Sequence, residues 1–333
     1  MLRLSPDTTS KAFEHYLRVR DQVRGLRELE AHRDDWTPSE RSMISALAWL
    51  WDAAPESIAT LRHRADAVSG VRAADYHQAS PLTRMRLERE LARLLEEGDR
   101  TLWVDEPQAL GGFGFRSGGL LYNEDTLRSF RVISLLQDAA LLSELRDARS
   151  RRTVWEIGGG WGGFAHHFKT LCPNVTYLIT GTPNLFLLSA VYLMTLFPAA
   201  SFRFFETARP DAFWQDWDAV DFAFAPEFIV AGMQPAAVHL TVDVATLERM
   251  NETRIALHVG RAHELECRYF FSVCPSQDPD PAVASPVRPI VERRYWPHPV
   301  SAPAYLAKRL AVRAGNQRPF RRTYFLGWRR LHV

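Results

Sequence analysis

An apolar segment that ends in an acid and continues into five glycines is the strongest constraint in this chain of 333 residues. It spans Thr153–Gly163, T-V-W-E-I-G-G-G-W-G-G, and is followed by the helix-like F-A-H-H-F-K. Glycine allows close approach of the backbone to a ligand and dihedral angles that other residues avoid. Where a strand turns into a helix, the N–H groups of the helix start offer a site for a polar ligand. The segment therefore predicts a strand, a ligand-binding turn and a helix.

The position of Glu156 indicates which ligand the turn takes. In dinucleotide-binding turns the fingerprint acid follows the glycines by about 20 residues and binds the ribose. A carboxylate at the turn itself suits a cationic amino-acid ligand, and S-adenosylmethionine carries both an ammonium and a sulfonium group. An ordinary tight turn remains an alternative, because the glycines also satisfy the looser G-x-G-x-x-G pattern. The cofactor-binding residues expected here are Glu156, Gly158, Gly160, Trp161 and Gly162.

Composition sets outer limits on partners and location. The chain is 46% hydrophobic and 24% charged, as is usual for a globular protein, and its net charge of +2 gives no support for a nucleic-acid partner. Its three cysteines have no metal-ligand spacing and indicate reduced, packed thiols. The longest apolar run, Leu185–Pro198, is too short to span a bilayer. We therefore expect a cytoplasmic protein without a membrane partner.

Periodicity divides the chain into a helical region, residues 1–110, and a Rossmann-like domain, residues 111–333. Apolar residues at helical spacing predict helices over Thr37–Trp51, Pro81–Glu97 and Asn123–Arg146, and a more polar helix is expected over Ser10–Ala31. Two interpretations of the N-terminal helices are open: they form a lid or oligomerisation domain, or they only pack on the core. Packing is the favoured interpretation, and a homo-oligomer stays open.

A glycine-rich segment, Gly111–Gly119, separates the two regions. Its sequence G-G-F-G-F-R-S-G-G combines backbone freedom with two aromatic rings. The segment fits a mobile loop over a substrate and a hairpin linker equally well.

Strands alternate with helices in the second half. Such alternation predicts an α/β fold with a mostly parallel sheet that carries helices on both faces, and a ligand site beyond the carboxyl ends of the strands. The Pro-rich segment Pro275–Pro289 is predicted to be a loop. Beyond Thr153, the strand candidates are Val175–Thr180, Ser201–Phe205, Val220–Phe224, Val238–Ala245, Arg268–Cys274 and Thr323–Trp328, and the helix candidates are Leu185–Phe197 and Glu248–Glu264.

Several of these segments together resemble the bacterial sugar O-methyltransferases. The resemblance covers roughly residues 123–273, and the glycine turn is its most specific part. It implies a class I methyltransferase fold, S-adenosylmethionine as the methyl donor, and a sugar hydroxyl or glycosylated small molecule as acceptor, in natural-product or glycan biosynthesis. The matching segments are L-Y-N-E-D-T-L-R-S-F-R (Leu121–Arg131), W-E-I-G-G-G-W-G-G-F-A (Trp155–Ala165), Y-L-I-T-G-T-P-N-L-F-L-L (Tyr177–Leu188), V-D-V-A-T-L-E-R-M (Val242–Met250) and R-Y-F-F-S-V (Arg268–Val273).

Two positions depart from the family pattern. Gly181 stands where the family carries the acid that binds the ribose, and Arg249 stands where Glu is more common. No Asp or Glu lies between Glu156 and Glu206. Neutral hydrogen bonds from Thr180, Thr182 or Asn184 would have to replace the acid, and these are about half as strong as charge-assisted ones.

These departures support two alternatives to catalysis with S-adenosylmethionine. One is a methyltransferase-like scaffold that binds a partner without catalysis. The other is an NADP-dependent oxidoreductase, since a 2′-phosphate favours a site without the ribose acid. The chain has no Arg between Trp161 and Pro198 to pair with that phosphate, and Glu156 would face the pyrophosphate unfavourably.

The candidates for chemistry lie at predicted strand ends and on helices. Asp243 follows a strand and is the first choice for a base or a metal ligand, with a helix cap as the alternative. Glu248 and His258 are further catalytic candidates, and His258 is expected at the surface. Glu206 is expected to accept from the adenine amino group. Asp243 and Glu248 would suffice for Mg²⁺, which needs only one or two carboxylates, but no motif indicates a metal.

Overall fold

The structure, a computed structural model, describes residues 6–147, 149–234, 238–275, 286–301 and 322–331. Helices dominate its first half, and strands alternate with helices in its second half. The helices are α1 (Pro6–Glu30), α2 (Pro38–Ala46), α3 (Pro55–Ala59), α4 (Asp66–Ser69), α5 (Ala73–His77), α6 (Pro81–Glu97), α7 (Glu124–Asp138), α8 (Leu141–Arg146), α9 (Gly163–Leu171), α10 (Pro183–Leu196), α11 (Glu252–Glu264) and α12 (Val287–Glu292). The strands are β1 (Phe115–Ser117), β2 (Leu120–Tyr122), β3 (Arg152–Ile157), β4 (Val175–Gly181), β5 (Phe202–Phe204), β6 (Phe222–Pro226), β7 (Val238–Asp243), β8 (Tyr269–Pro275), β9 (Tyr295–Pro297) and β10 (Arg322–Arg329).

Eight strands form one central sheet in the order β5-β6-β4-β3-β7-β8-β10-β9. All of them run parallel except β10, which is antiparallel to both of its neighbours. From β3, the chain crosses to β4 through α9, and from β7 it crosses to β8 in the opposite direction through α11. Right-handed crossovers in opposite directions place α9 and α11 on opposite faces of the sheet. The predicted fold class, a Rossmann-like α/β sheet after a helical N-terminal region, is confirmed.

Two of the predicted helices end earlier than periodicity indicates. The helix expected over Asn123–Arg146 breaks into α7 and α8, because Ala140 adopts a left-handed conformation with φ of 61°. The helix expected over Thr37–Trp51 begins as predicted, with Thr37 and Glu40 forming a capping box, but α2 ends at Ala46. A short 3₁₀ helix, Ala48–Asp52, completes that segment.

The glycine-rich segment forms a hairpin. Strands β1 and β2 pair antiparallel with Phe115 opposite Tyr122, and Gly118 and Gly119 make the turn with φ of 57° and 84°. Phe113 is buried with Phe115, so neither ring is offered to a ligand at the surface. The hairpin interpretation is therefore confirmed.

One hydrophobic core joins the N-terminal helices to the sheet. Its buried side chains run from Ala12 in α1 to Leu326 in β10. Helix α1 packs along α10, whose side chains are nearly all buried as a result. A division of the chain at residue 110 stays a prediction, but the helices on its N-terminal side pack on the sheet domain.

Three smaller expectations meet the structure in different ways. Cys172 and Cys267 are buried free thiols, as predicted. Of the Pro-rich segment, residues 276–285 lie outside the described part, and α12 begins at Val287, two residues before the predicted end of the loop. Within the described residues, no helix is both long enough and apolar enough to cross a membrane.

Candidate functional site

The glycine turn lies at the carboxyl end of β3, near the middle of the sheet. Four of its residues, Gly158, Gly159, Gly160 and Gly162, have φ between 50° and 92°. Side chains other than hydrogen make this region costly, which explains why glycine occupies these positions. The Gly158 N–H donates to the Thr180 carbonyl at 2.6 Å and fixes the turn to β4. Helix α9 then begins at Gly163, as the sequence predicts.

Glu156 places a carboxyl group directly before this turn. Its side chain is buried, and Oε2 accepts a hydrogen bond from the Tyr177 hydroxyl at 2.9 Å. Burial raises the pKa of Glu156 to about 8, and the nearby Asp243 carboxylate raises it further, whereas the Tyr177 bond lowers it. No cation in the described residues contributes to this pKa. The carboxyl group thus lacks a positively charged partner.

Asp243 ends the adjacent strand β7, opposite Ile157 in the parallel register. Its Oδ1 accepts from the backbone N–H of Thr246 at 2.7 Å and of Leu247 at 3.0 Å, and its Oδ2 accepts from Ser272 Oγ at 2.6 Å. Burial raises the pKa of Asp243 to about 6, although the three hydrogen bonds by themselves lower it. The side chain holds the loop after β7 in place without being the N-cap of a helix, since Thr246 stands before the 3₁₀ helix Leu247–Arg249 and Asn251 caps α11. Its role as a base or metal ligand stays a prediction.

The other two catalytic candidates lie in different environments. Glu248 is half-buried in the 3₁₀ helix Leu247–Arg249, and its charge raises the pKa of Asp243. His258 is fully buried in α11, which corrects the expectation that it faces the surface. Its ring stacks on Trp155 at 6.1 Å, and Nδ1 donates to the Arg254 carbonyl because that oxygen can only accept. The apolar face of α11 needs cover from the sheet, and His258 lies on that face.

The polar side chains expected at the ribose are all engaged within the protein. Thr180 Oγ1 accepts from Trp155 Nε1 at 2.8 Å, and Thr182 caps α10 by accepting from the Leu185 N–H. Asn184 Oδ1 accepts from Trp51 Nε1 at 2.8 Å. The structure brings these residues to the edge of the turn but leaves them occupied.

Glu206 does not lie at the turn. It follows β5, at the outer edge of the sheet, and pairs on the surface with Arg209 at 2.7 Å. Three strand spacings separate β5 from β3, about 14 Å. On the side of β4 away from β3 the next strand is β6, and the acid that follows β6 is Glu227. Sequence analysis missed Glu227, because two strand candidates lie between β4 and β7 along the chain and the sequence does not show which of them pairs with β4.

Residues 37–69, here called the N-terminal cap, cover the glycine turn together with the loop after β7. A Cβ at Gly158 would overlap the Thr246 side chain, and a Cβ at Gly160 would lie 3.5 Å from Val68 Cγ1. Arg249 Nη2 donates to the Val68 carbonyl at 3.1 Å, and its own carbonyl accepts from Thr37 Oγ1 at 2.7 Å. The cap therefore closes directly over the predicted ligand face.

A buried ion-pair network holds the start of the cap. Arg254 Nη1 donates to Glu40 Oε2 at 2.7 Å, while Nε and Nη2 donate to the two oxygens of Glu227 at 2.7 and 2.5 Å. The Arg254 guanidinium also lies 4.7 Å from the centre of the Trp36 ring. Every charge in this network has a partner of opposite sign, which is the condition for burying charges.

Trp161 packs on a second buried arginine from the cap. The Cζ of Arg62 lies 3.8 Å from the centre of the Trp161 ring, and Tyr192 meets the same ring edge-on at 4.9 Å. Arg62 pairs with Glu106 and Asp125, each at 2.7 Å. Sequence analysis missed this cluster, since its members are 44 and 63 residues from Arg62 and no spacing links them.

The two histidines after the turn, His166 and His167, are packed in the interior. His167 Nε2 bonds to the Leu102 carbonyl at 2.8 Å, which makes it the donor. His166 packs against Tyr192 and Phe197. Burial lowers the pKa of His166 to about 3 and that of His167 to about 4, so both rings are neutral.

The residues fit one end of S-adenosylmethionine and not the other. At the amino-acid end, the Glu156 carboxyl, which has no cationic partner among the described residues, and the glycine backbone have the chemistry that an ammonium and a carboxylate require. At the ribose end, Gly181 stands in place of the acid, and a Cβ on it would lie 3.0 Å from the Gly158 carbonyl oxygen. The side chains of Thr246 and Val68 lie over Gly158 and Gly160. Within the described residues, no three His, Cys, Asp or Glu side chains cluster as metal ligands would.

Comparison with known proteins finds distant likenesses in solved structures. No protein-family model and no curated protein matches the sequence. MtNAS in complex with MTA and tNA is 14% identical, with 96% of this chain and 98% of that chain covered and a TM-score of 0.34. N-methyltransferase NodS from Bradyrhizobium japonicum WM9, in complex with S-adenosyl-l-homocysteine, is 13% identical over 63% of this chain and 94% of that one, with a TM-score of 0.35. Magnesium protoporphyrin IX methyltransferase from Synechocystis PCC 6803, with bound SAM, is 10% identical over 63% and 85%, with a TM-score of 0.35. Because these TM-scores lie below 0.5, only the residues of this chain bear on its function.

Proposed function

We propose that this protein is an S-adenosylmethionine-dependent O-methyltransferase that acts on a sugar hydroxyl or a glycosylated small molecule. The observation that carries the proposal is Glu156, a buried carboxyl group at the start of the glycine turn that has no cationic partner in the part of the chain that the structure describes. A cation bound there would stabilise the ionised carboxylate and so offset the cost of its burial, which is what raises the pKa of Glu156. The ammonium group of S-adenosylmethionine is such a cation.

The residues of the chain have distinct parts in this proposal. Glu156 binds the ammonium group, and the N–H groups of the turn and of the first residues of α9 bind the carboxylate end. Asp243 keeps the loop after β7 in position through its three hydrogen bonds. When bound, S-adenosylmethionine supplies an electrophilic methyl group on sulfur. The chain contributes binding and orientation, which lower the barrier of a displacement by holding the reactants in line.

The acceptor class is supported by the resemblance of residues 123–273 to bacterial sugar O-methyltransferases. The same resemblance supports a role in natural-product or glycan biosynthesis. Activity screening against nucleotide sugars and glycosides, with transfer of a labelled methyl group as the readout, tests the acceptor. Transfer to amines or thiols alone would contradict the assignment to oxygen.

Calorimetry tests the cofactor. We expect S-adenosylhomocysteine to bind the wild-type protein and to bind at least tenfold more weakly after Glu156→Gln, since the charge that meets the ammonium is lost. Glu30→Gln is the matched control, because Glu30 in α1 is another buried acid whose pKa burial raises, and the charged groups that act on it, Arg33, Asp35, Glu227 and Arg254, are not part of the turn. Binding of NADPH without S-adenosylhomocysteine would contradict the proposal and support the oxidoreductase.

The closed cap favours one second candidate, a methyltransferase-like scaffold that binds a partner without catalysis. Thr246 and Val68 occupy the ligand face of the turn, and Gly181 leaves the ribose without an acid. On this alternative, neither S-adenosylhomocysteine nor NADPH binds. A wild-type protein that is folded and binds neither ligand would support the scaffold.

A further inference from the structure

A small cavity begins where the glycine turn becomes α9. Its walls include Trp161 and Gly163 from the turn and helix, and it reaches outward to the loop that carries Glu106. The space between atoms is about 230 Å³, part of it open to solvent, and the enclosed part has room for a single water molecule or hydroxyl group. The polar residues of its lining are Asp105, Glu106, Asp125, Thr126, Ser129, His166, His167 and Tyr192.

Three buried polar atoms at this cluster have no hydrogen-bond partner in the described residues. They are Glu106 Oε2, the Tyr192 hydroxyl oxygen and Arg62 Nη1. Tyr192 and Glu106 line the cavity, and Arg62 binds the other oxygen of Glu106. Leaving such a group unpaired in the interior is costly. Two unpaired groups in the wall of one small cavity, with the third on a side chain bound to one of them, indicate that a polar group occupies it.

The charges around the cavity balance. Arg62 pairs with Glu106 and Asp125, and Asp125 also accepts from Arg128 at 2.9 Å. Two guanidinium groups thus pair with the two buried carboxylates, while the third acid of the lining, Asp105, is exposed and accepts from Trp103 Nε1 and the Leu121 N–H. A charged occupant would leave one buried charge unpaired, which is costly, so the occupant is neutral.

The unused hydrogen-bond donors and acceptors at the site match a hydroxyl group. Glu106 Oε2 can only accept from an occupant while it is ionised, and Arg62 Nη1 can only donate. Tyr192 can do either. A hydroxyl group donates one hydrogen bond and accepts others, so a single hydroxyl matches what the two lining side chains, Glu106 and Tyr192, leave unpaired. Trp161 and Tyr192 add aromatic surface beside it.

We propose that this cavity binds one hydroxyl group of a neutral, polyhydroxylated small molecule, whose remaining atoms lie at its solvent-exposed opening. The assignment of that molecule as methyl acceptor rests on the proposed function, since the cavity borders the glycine turn through Trp161 and Gly163. Glu106 and Tyr192 bind the hydroxyl, and Arg62 holds Glu106 in place at 2.7 Å. A trapped water molecule meets the same bonding requirements and is the competing occupant.

Saturation-transfer NMR tests the site with methyl α-D-glucopyranoside as the probe and tetrahydropyran, which has a similar ring without hydroxyl groups, as the comparison. We expect transfer from the wild-type protein to the glucoside and not to tetrahydropyran. Tyr192→Phe and Glu106→Gln should each reduce that transfer at least fivefold. Tyr122→Phe is the matched control and should keep it, because Tyr122 is also buried with an unpartnered hydroxyl but does not line the cavity.

Two results would overturn this site. One is an absence of transfer to the glucoside in the folded wild-type protein, which means that water alone fills the cavity. The other is unchanged transfer in Tyr192→Phe, which decides the matter by itself if Glu106→Gln fails to fold. Calorimetry with S-adenosylhomocysteine on the same samples separates the two proposals: cofactor binding without a glucoside signal rejects only the cavity site, and the reverse rejects only the methyltransferase.

Discussion

The Arg249 guanidinium donates to the carbonyl oxygen of Val68 at 3.1 Å and so ties the loop after β7 to the N-terminal cap above the glycine turn. A second donor of the same side chain contacts Met43 Sδ at 3.3 Å. Both partners belong to the cap. Arg249 is one of the two positions that depart from the family pattern, and the structure gives it a function that a Glu at this position lacks.

Arg249→Ala should loosen the cap. We expect faster amide hydrogen exchange over residues 61–69 and about fivefold tighter binding of S-adenosylhomocysteine, because a hydrogen bond worth about 1 kcal/mol no longer opposes opening. Arg268→Ala, which removes an exposed arginine paired with Glu144, is the control. Unchanged exchange and affinity in Arg249→Ala would show that this contact does not hold the cap.

Gly181→Asp should restore a ribose-binding acid. The added Cβ would lie 3.0 Å from the Gly158 carbonyl oxygen, so the turn must shift by a few tenths of an ångström, and φ at Gly181 is not in the left-handed region. We expect S-adenosylhomocysteine to bind about fivefold to thirtyfold more tightly, since two charge-assisted bonds replace neutral ones at about 1 kcal/mol each.

Gly181→Asn controls for shape without charge. Calorimetry should show a smaller gain for Asn than for Asp. Equal affinities in the two variants would mean that no ribose hydroxyl reaches this position.

The stability of the ligand-free protein should depend on Glu156 and on pH. The pKa of its carboxyl group is raised from an ordinary 4.5 to about 8, so the stability that the protonated form contributes is present below pH 4.5 and is lost as the pH rises through 8. Glu156→Gln mimics the protonated form. By urea denaturation, we expect this variant to exceed the wild type by at least about 1 kcal/mol at pH 8.5 and to match it near pH 4.5. If the difference in free energy of unfolding between the wild type and the variant is the same at both pH values, the carboxyl group is solvated and its pKa is not raised.

Glu40→Gln should destabilise the protein through the Arg254 network. Glu40 accepts from Arg254 Nη1 at 2.7 Å with both side chains nearly inaccessible, and it also completes the capping box of α2. Arg254 keeps Glu227, so we expect a loss of about 2 kcal/mol in the free energy of unfolding, less than for a fully broken buried pair. Asp75→Asn removes an exposed pair with Arg72 and should cost less than about 0.5 kcal/mol. Equal losses in the two variants would contradict a buried network.

The sheet was predictable because its strands carry their own signals. Val175–Thr180, V-T-Y-L-I-T, is rich in β-branched and aromatic residues, and Val238–Ala245, V-H-L-T-V-D-V-A, has an apolar residue at every second position; both patterns are typical of strands. The turn after β3 was predictable from Glu156 and its glycines, which are local in sequence. The break at Ala140 carried no such signal, because an alanine with φ of 61° is imposed by packing against local preference.

The candidate site was less predictable, because the groups that close it come from distant parts of the chain. Asn184 meets Trp51 across 133 residues, and Arg254 meets Glu40 across 214. A single sequence gives no sign of such pairs. The same limit explains the wrong surface position predicted for His258, since the helical pattern of α11 does not show which face lies under Trp155.

Proton release on cofactor binding tests the central claim most directly. At pH 7 a carboxyl group with a pKa of about 8 is mostly protonated, and it must ionise to bind an ammonium group. Calorimetric titration of S-adenosylhomocysteine, in two buffers that differ in ionisation enthalpy, measures the protons released. We predict a release close to one proton for the wild type and close to zero for Glu156→Gln. Binding without proton release in the wild type would contradict the assignment of Glu156 as the residue that binds the ammonium group.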